Sequence, residues 1–152
     1  VMINQWRSRL AMLLFPVLLA PQVTANTWLQ VSNAWIREAP PGTSVLAGYM
    51  TIANTGATEV SITGVSGPDF SSVEIHQTVL ENGIARMLRA ERLPIPAGGT
   101  LVLEPGGYHL MMFNPDRPLL AGDAVKLLLH TSGEQCIDVN VPVIRKTGDK
   151  QP

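Results

Sequence analysis

Four side chains that bind soft metals fall into one spacing in this chain: His76, Met87, His109 and Met111, written His-x10-Met-x21-His-x-Met. The rest of the chain is poor in these types. Beyond the apolar N-terminal segment the histidines are His76, His109 and His130, and the methionines are Met50, Met87, Met111 and Met112. Thioether sulfur is a soft, uncharged donor that favours Cu(I) over hard ions such as Mg²⁺ or Ca²⁺. Zinc is less well served, because it takes thiolate, imidazole and carboxylate. Two imidazoles and two thioethers leave Cu(I) with its single positive charge, and they bind it only while both rings are unprotonated. Taken singly, a strand histidine is ordinarily a satisfied polar residue and a methionine ordinarily core. The weight lies in the four together, which point to one bound Cu(I), with Cu(II) binding left open.

Such a site needs elements that bring distant ligands to one face. The chain breaks into short β-type runs separated by turn residues, with no long helical period. The runs are Leu29 to Arg37, Ala47 to Asn54, Thr58 to Val65, Ser72 to Leu80, Ile84 to Ala90, Leu101 to Leu103, His109 to Phe113, Ala124 to His130 and Gln135 to Ile144. Between them stand Pro40-Pro41-Gly42, Asn54-Thr55-Gly56, Asn82-Gly83, Pro96-Ala97-Gly98-Gly99, Pro105-Gly106-Gly107 and Ser132-Gly133. This predicts a single all-β domain, a Greek-key sandwich or barrel. Asn82-Gly83 predicts a two-residue hairpin turn that pairs Glu81 with Ile84, Thr78 with Met87 and His76 with Arg89. His76 and Met87 are then diagonal neighbours on one face. His109 and Met111, two apart on a strand, also share a face, while Met112 points the other way and is read with Met50 as core.

At 152 residues, 45% apolar and 15% charged, the chain suits one globular domain. Its formal net charge of -1 offers no footprint for nucleic acid and no polybasic membrane patch. Arg7 and Arg9, the apolar run from Leu10 to Ala20 and the small residues around Val23-Thr24-Ala25 read as an export signal cleaved near Ala25. The run is interrupted by Pro16 and is shorter than the ~20 residues a spanning helix needs. The expected organisation is a signal peptide at 1–25, a β domain at 26–145 and a flexible polar tail at 146–152, with a periplasmic, monomeric product that is not inserted in the membrane. Cys136 is the sole cysteine, so no intrachain disulfide can form. The alternation in Cys136-Ile137-Asp138-Val139-Asn140-Val141 places it opposite in facing to the apolar residues, as a half-buried strand cysteine, with intermolecular pairing or an auxiliary metal contact as the alternatives.

The four-ligand spacing, matched without insertion or deletion, resembles the periplasmic copper chaperone family PCu(A)C. The surroundings are similar as well: Ala34-Trp35-Ile36-Arg37 before Pro40-Pro41-Gly42, Asn54-Thr55-Gly56, Val73-Glu74-Ile75-His76, Ile95-Pro96-Ala97-Gly98-Gly99, and Glu104-Pro105-Gly106-Gly107-Tyr108-His109-Leu110-Met111. The resemblance covers about Val31 to Val143. It implies a cupredoxin-like β-barrel that holds one Cu(I) at an exposed site and passes it on. The recipient it implies is the dinuclear copper centre of cytochrome oxidase, often with a Sco-type copper carrier alongside. Cys136 is not part of the family pattern, and the tail lacks the His- and Met-rich extension some members use for a further copper site, so one site is expected.

Three other classes compete. A blue-copper electron carrier needs a cysteine thiolate with two histidines, and no histidine follows Cys136. A non-metal extracytoplasmic adhesion or assembly module would need only the strand pattern, and specific copper binding separates it from a carrier. An enzyme finds no nucleophile-elbow motif and no acids clustered near a histidine.

Overall fold

The computed structural model describes residues 28–133 and 135–146. The expected signal peptide at 1–25, and the tail beyond Lys146, lie outside the described residues. Among the described residues there are ten strands and no helix: β1 (Leu29–Arg37), β2 (Val45–Asn54), β3 (Val60–Ser66), β4 (Phe70–Glu81), β5 (Ile84–Arg89), β6 (Leu93–Ile95), β7 (Thr100–Leu103), β8 (Tyr108–Pro115), β9 (Ala124–Thr131) and β10 (Cys136–Ile144). They form one sheet in the order β5-β4-β8-β7-β2-β1-β10-β9-β3-β6, and a further β3–β4 pairing closes eight of them into a barrel. Closure removes the free edges an open sheet would leave. Strands β5 and β6 stand outside the ring as additions. Most pairs are antiparallel; β1 and β10 run parallel, joined at Ile36 with Val143 and Arg37 with Ile144.

The alternation of inward apolar and outward polar residues follows from the two-residue period of a strand. In β9, Val125, Leu127 and Leu129 are buried while Lys126 faces out, and in β10 Val139, Val141 and Val143 face in. Ile36, Ile52, Ile62, Ile95, Leu110 and Leu127 fill the centre, together with Met50 and Met112, as the sequence leads one to expect. Where the sequence suggests nine strands there are ten, because β6 is only three residues long and carries Pro94, too short and too broken to show a period. It holds its place by pairing with β3 and by burying Leu93 and Ile95 to either side of an exposed proline.

Two local devices shape the face that matters. At Asn82-Gly83 both turn residues have positive φ, 53° and 79°, the requirement of a type I′ turn. The register is the expected one: Glu81 opposite Ile84, Thr78 opposite Met87, His76 opposite Arg89. In β1 the pairing with β2 slips between Ser32 and Trp35, and Asn33 takes φ 51°. This bulge brings Trp35 opposite Tyr49, their rings 4.5 Å apart, with the Lys146 ammonium 4.3 Å from the Trp35 ring centre. One expectation is corrected: Cys136 is not half-buried but exposed. It opens β10 on the outer face of the barrel, beside the Ser132-Gly133 turn.

Candidate metal centre

His76 stands on β4 and His109 on β8, directly opposite one another in the antiparallel ladder, with ring centres 6.2 Å apart. Glu74 pairs with Met111 in the same ladder, so His76, Glu74, His109 and Met111 all project from the outer face, while Ile75, Leu110 and Met112 project into the core. On the other side of β4, Met87 is level with Thr78, one step of the same face beyond His76. The four residues of the spacing therefore lie on one outer face of three adjacent strands, β5, β4 and β8. A depression of about 330 Å³ opens there, lined by Met87, His109 and Met111 together with Thr78, Tyr49 and Arg37. His76 flanks it without lining it.

Burial grades across this face. His109 is 6% exposed, Met111 is intermediate, and Met87, on a strand whose every residue is exposed, is 60% exposed. The β7–β8 turn seats the buried ring. Glu104 and Gly107 close it by the Gly107 N–H to Glu104 carbonyl bond of 3.1 Å, with Gly106 at φ 83°. The Gly107 carbonyl then accepts two hydrogen bonds, one from the Thr78 N–H of the adjacent strand at 3.1 Å and one from His109 Nδ1 at 3.1 Å. A carbonyl only accepts, so Nδ1 of the neutral ring carries the proton and Nε2 is left with its lone pair.

His76 is set the other way round. Its Nε2 lies 2.8 Å from Glu74 Oε2, and Glu74 Oε1 is 3.0 Å from Arg89 Nη1. The imidazole of His76 first, and Arg89 after it, hold the Glu74 carboxyl below its ordinary value. An ionised carboxylate accepts, so His76 Nε2 donates, and the lone pair resides on Nδ1. That Nδ1 is buried and has no hydrogen-bond partner in the protein, an arrangement that costs stability unless something else occupies the lone pair. Each ring thus keeps one nitrogen engaged and one bare, the way ligating histidines are held by an acceptor on their far side.

Sequence reasoning names the four soft ligands but gives Glu74, Arg89 and the Gly107 carbonyl no role. Glu74 was legible in principle: two residues before His76 on a strand, it must share its face. The Gly107 carbonyl was not, since a backbone acceptor has no sequence signature. Among the described residues no group of three or more His, Cys, Asp or Glu gathers as for a harder ion. The Glu74 carboxylate on this face is taken up by His76 and Arg89, and the further soft donors beside the imidazoles are the thioethers of Met87 and Met111.

The LpqE-like family of putative lipoproteins matches residues 29–143, and the chain belongs to it. The putative lipoprotein Lxx21020 of Leifsonia xyli subsp. xyli is 37% identical over 116 residues, which are 76% of this chain and 69% of that protein. Among solved structures, Cu(I)-bound DR1885 of Deinococcus radiodurans is similar with a TM-score of 0.63 at 28% identity, over 86% of this chain and 89% of that one. The copper-bound PCuAC domain of PmoF2 has a TM-score of 0.66 at 19% identity, over 78% of this chain and 94% of that domain. The fold is thus the cupredoxin-like barrel of PCuAC domains, the family that the His-Met spacing resembles.

Proposed function

We propose that this protein is a Cu(I) carrier of the PCu(A)C type, which binds the ion at His76, Met87, His109 and Met111 and hands it to a partner protein. The observation that carries this reading is the pair of histidines set opposite each other with one bare nitrogen each, on a face that also holds two thioethers. The bare atoms are His76 Nδ1 and His109 Nε2. Two neutral nitrogens and two soft sulfurs suit a monovalent soft ion. That DR1885 has been solved with Cu(I) bound supports the same chemistry.

The grading of exposure suggests how release proceeds. His109 and Met111 form the fixed side of the site, and Met87, on the exposed strand β5, is the ligand a partner reaches first. An incoming donor replaces the Met87 thioether, and the remaining three follow by exchange, without a change in the charge on copper. The recipient on this reading is the dinuclear copper centre of cytochrome oxidase, with a Sco-type carrier alongside, and the setting is periplasmic. Among the described residues no helix is long and apolar enough to cross a membrane.

The decisive experiment is an anaerobic Cu(I) titration of the chain from Asn26 against a competing chelator, beside a variant in which His76, Met87, His109 and Met111 are all replaced by Ala. A tight equivalent that disappears in the variant is expected. An unchanged affinity in the folded variant removes the assignment and leaves the non-metal adhesion or assembly module. Affinity is also expected to fall on acidification from about pH 7.5 to 5, as the imidazoles take up protons; a flat profile over that range argues against histidine ligation.

A further inference from the structure

Away from that face, the third histidine and the sole cysteine meet. Cys136 and His130 are directly opposed in the β10–β9 ladder, both on the outer face of the barrel. Cys136 Sγ is 3.3 Å from His130 Nδ1, and the far nitrogen of the same ring, Nε2, is 2.9 Å from Ser66 Oγ on β3. The hydroxyl orients the ring from behind, as outer partners of metal-bound histidines do, and turns Nδ1 toward the sulfur. We propose that Cys136 and His130 form a second Cu(I) site, with thiolate sulfur and imidazole nitrogen as its two protein ligands.

The geometry suits one ion on both atoms. With metal–sulfur and metal–nitrogen bonds of about 2.3 and 2.0 Å, a sulfur–nitrogen separation of 3.3 Å gives an angle near 100° at the metal. The number of ligands selects the ion. Among the described residues no third His, Cys, Asp or Glu joins the pair, so the described residues do not complete the four-coordinate shell of a structural zinc site. Cu(I) prefers thiolate and accepts three donors, and an angle of about 100° leaves the third position to one from outside the pair. The exposure of Cys136 leaves room for a third donor from a small thiol or a partner protein.

Its position adds to the case. Gly64 of β3 pairs with His130, and Val65 pairs with Val73 of β4, which sets Gly64 level with Glu74, the residue that holds His76. No side chain rises from Gly64, and a depression of about 360 Å³ lies beside it, lined by Gly64, Glu74 and Arg89. Gly64 thus lies between His130 and Glu74, a span of about two strand spacings, or ~10 Å, with His76 two residues further along β4.

The site stands on residues distinct from those of the first, so it is tested in the variant lacking His76, Met87, His109 and Met111. That variant, titrated anaerobically with Cu(I), is expected to bind one equivalent with a thiolate-to-copper charge-transfer band in the ultraviolet. The equivalent and the band should vanish when Cys136→Ser is added, and the affinity should fall at least tenfold when His130→Asn is added. Both side chains face outward, and circular dichroism checks that the fold persists. Absence of binding in the four-ligand variant, or indifference to His130→Asn, overturns the proposal. Half an equivalent with a dimer on size exclusion also overturns it, since copper would then lie between two cysteines. Equal binding of Zn²⁺ rejects its assignment to a monovalent ion.

Discussion

His76 Nδ1 is the most exacting atom in the structure. It is buried and unpartnered because Glu74, held by Arg89, takes the proton-bearing side of the ring. Replacing Glu74 with Ala frees the ring to exchange tautomers and to turn away. Cu(I) affinity is expected to drop about 10 to 100-fold, the usual effect of losing an outer partner of a ligating histidine. Imidazole ¹⁵N shifts give the independent readout: in the native protein His76 should be protonated at Nε2 and His109 at Nδ1, and only His76 should lose its preference in the variant. Met87→Ala should also weaken binding but leave both tautomers untouched. At this scale the sequence is generous about donors and silent about orientation, because donor chemistry belongs to residue type, whereas the bare nitrogen of a ring is chosen by whichever acceptor lies behind it.

At the scale of elements, the hairpin register was fully legible. A two-residue turn with positive φ at Asn82 and Gly83 allows one pairing, and that pairing alone decides that Met87 shares a face with His76. A residue inserted between Asn82 and Gly83 should shift β5 by one position and carry Met87 to the opposite face. Because β5 is exposed throughout, thermal stability should barely change, while Cu(I) affinity falls below that of Met87→Ala, since Arg89 moves with Met87 and releases Glu74. The opposition of His76 and His109 was not legible, since nothing local relates residues of two strands so far apart in the chain. Nor was β6. Its anchor is Asn54, 1% exposed, whose Nδ2 donates to the carbonyls of Thr58, Ile95 and Pro96 at 2.8, 2.9 and 3.1 Å and whose Oδ1 accepts from Gly56 N–H. The sequence marks Asn54-Thr55-Gly56 as a turn, but the reach of Asn54 across to β6 is a tertiary fact. Asn54→Ala strips partners from buried backbone groups and should cost roughly 2 to 4 kcal/mol in urea unfolding.

Across the whole molecule, the barrel is fastened where its first and last strands run side by side. Beyond Arg37 and Ile144, the Glu38 N–H donates to the Ile144 carbonyl, and the Glu38 carboxylate pairs with Arg145 through Nε, and through Nη2 at 3.0 Å. Arg145 first, with the Ala121 N–H, depresses Glu38 below its ordinary 4.5. Asp123 is depressed below 3.8 by the Leu120 N–H and Arg117. Carboxyls lowered in the folded state bind fewer protons there than in the unfolded chain. Their stabilisation is therefore complete above the ordinary values and is lost as pH falls through the depressed ones. The thermal midpoint should hold from neutrality to about pH 5 and decline below it, and Glu38→Gln should lower the neutral value and flatten that decline.

The β1–β2 ladder also sets where the chain enters relative to the candidate metal centre. Tyr49, which lines the same depression as His109, is level with Trp35 near the end of β1, whereas Leu29, where β1 begins, is level with Asn54. Five residues of β2, or about 17 Å, separate the two levels. Leu29 thus stands well along the barrel from the depression that Met87, His109 and Met111 line. A label or fusion joined ahead of Leu29 should therefore leave that face open to whatever approaches it.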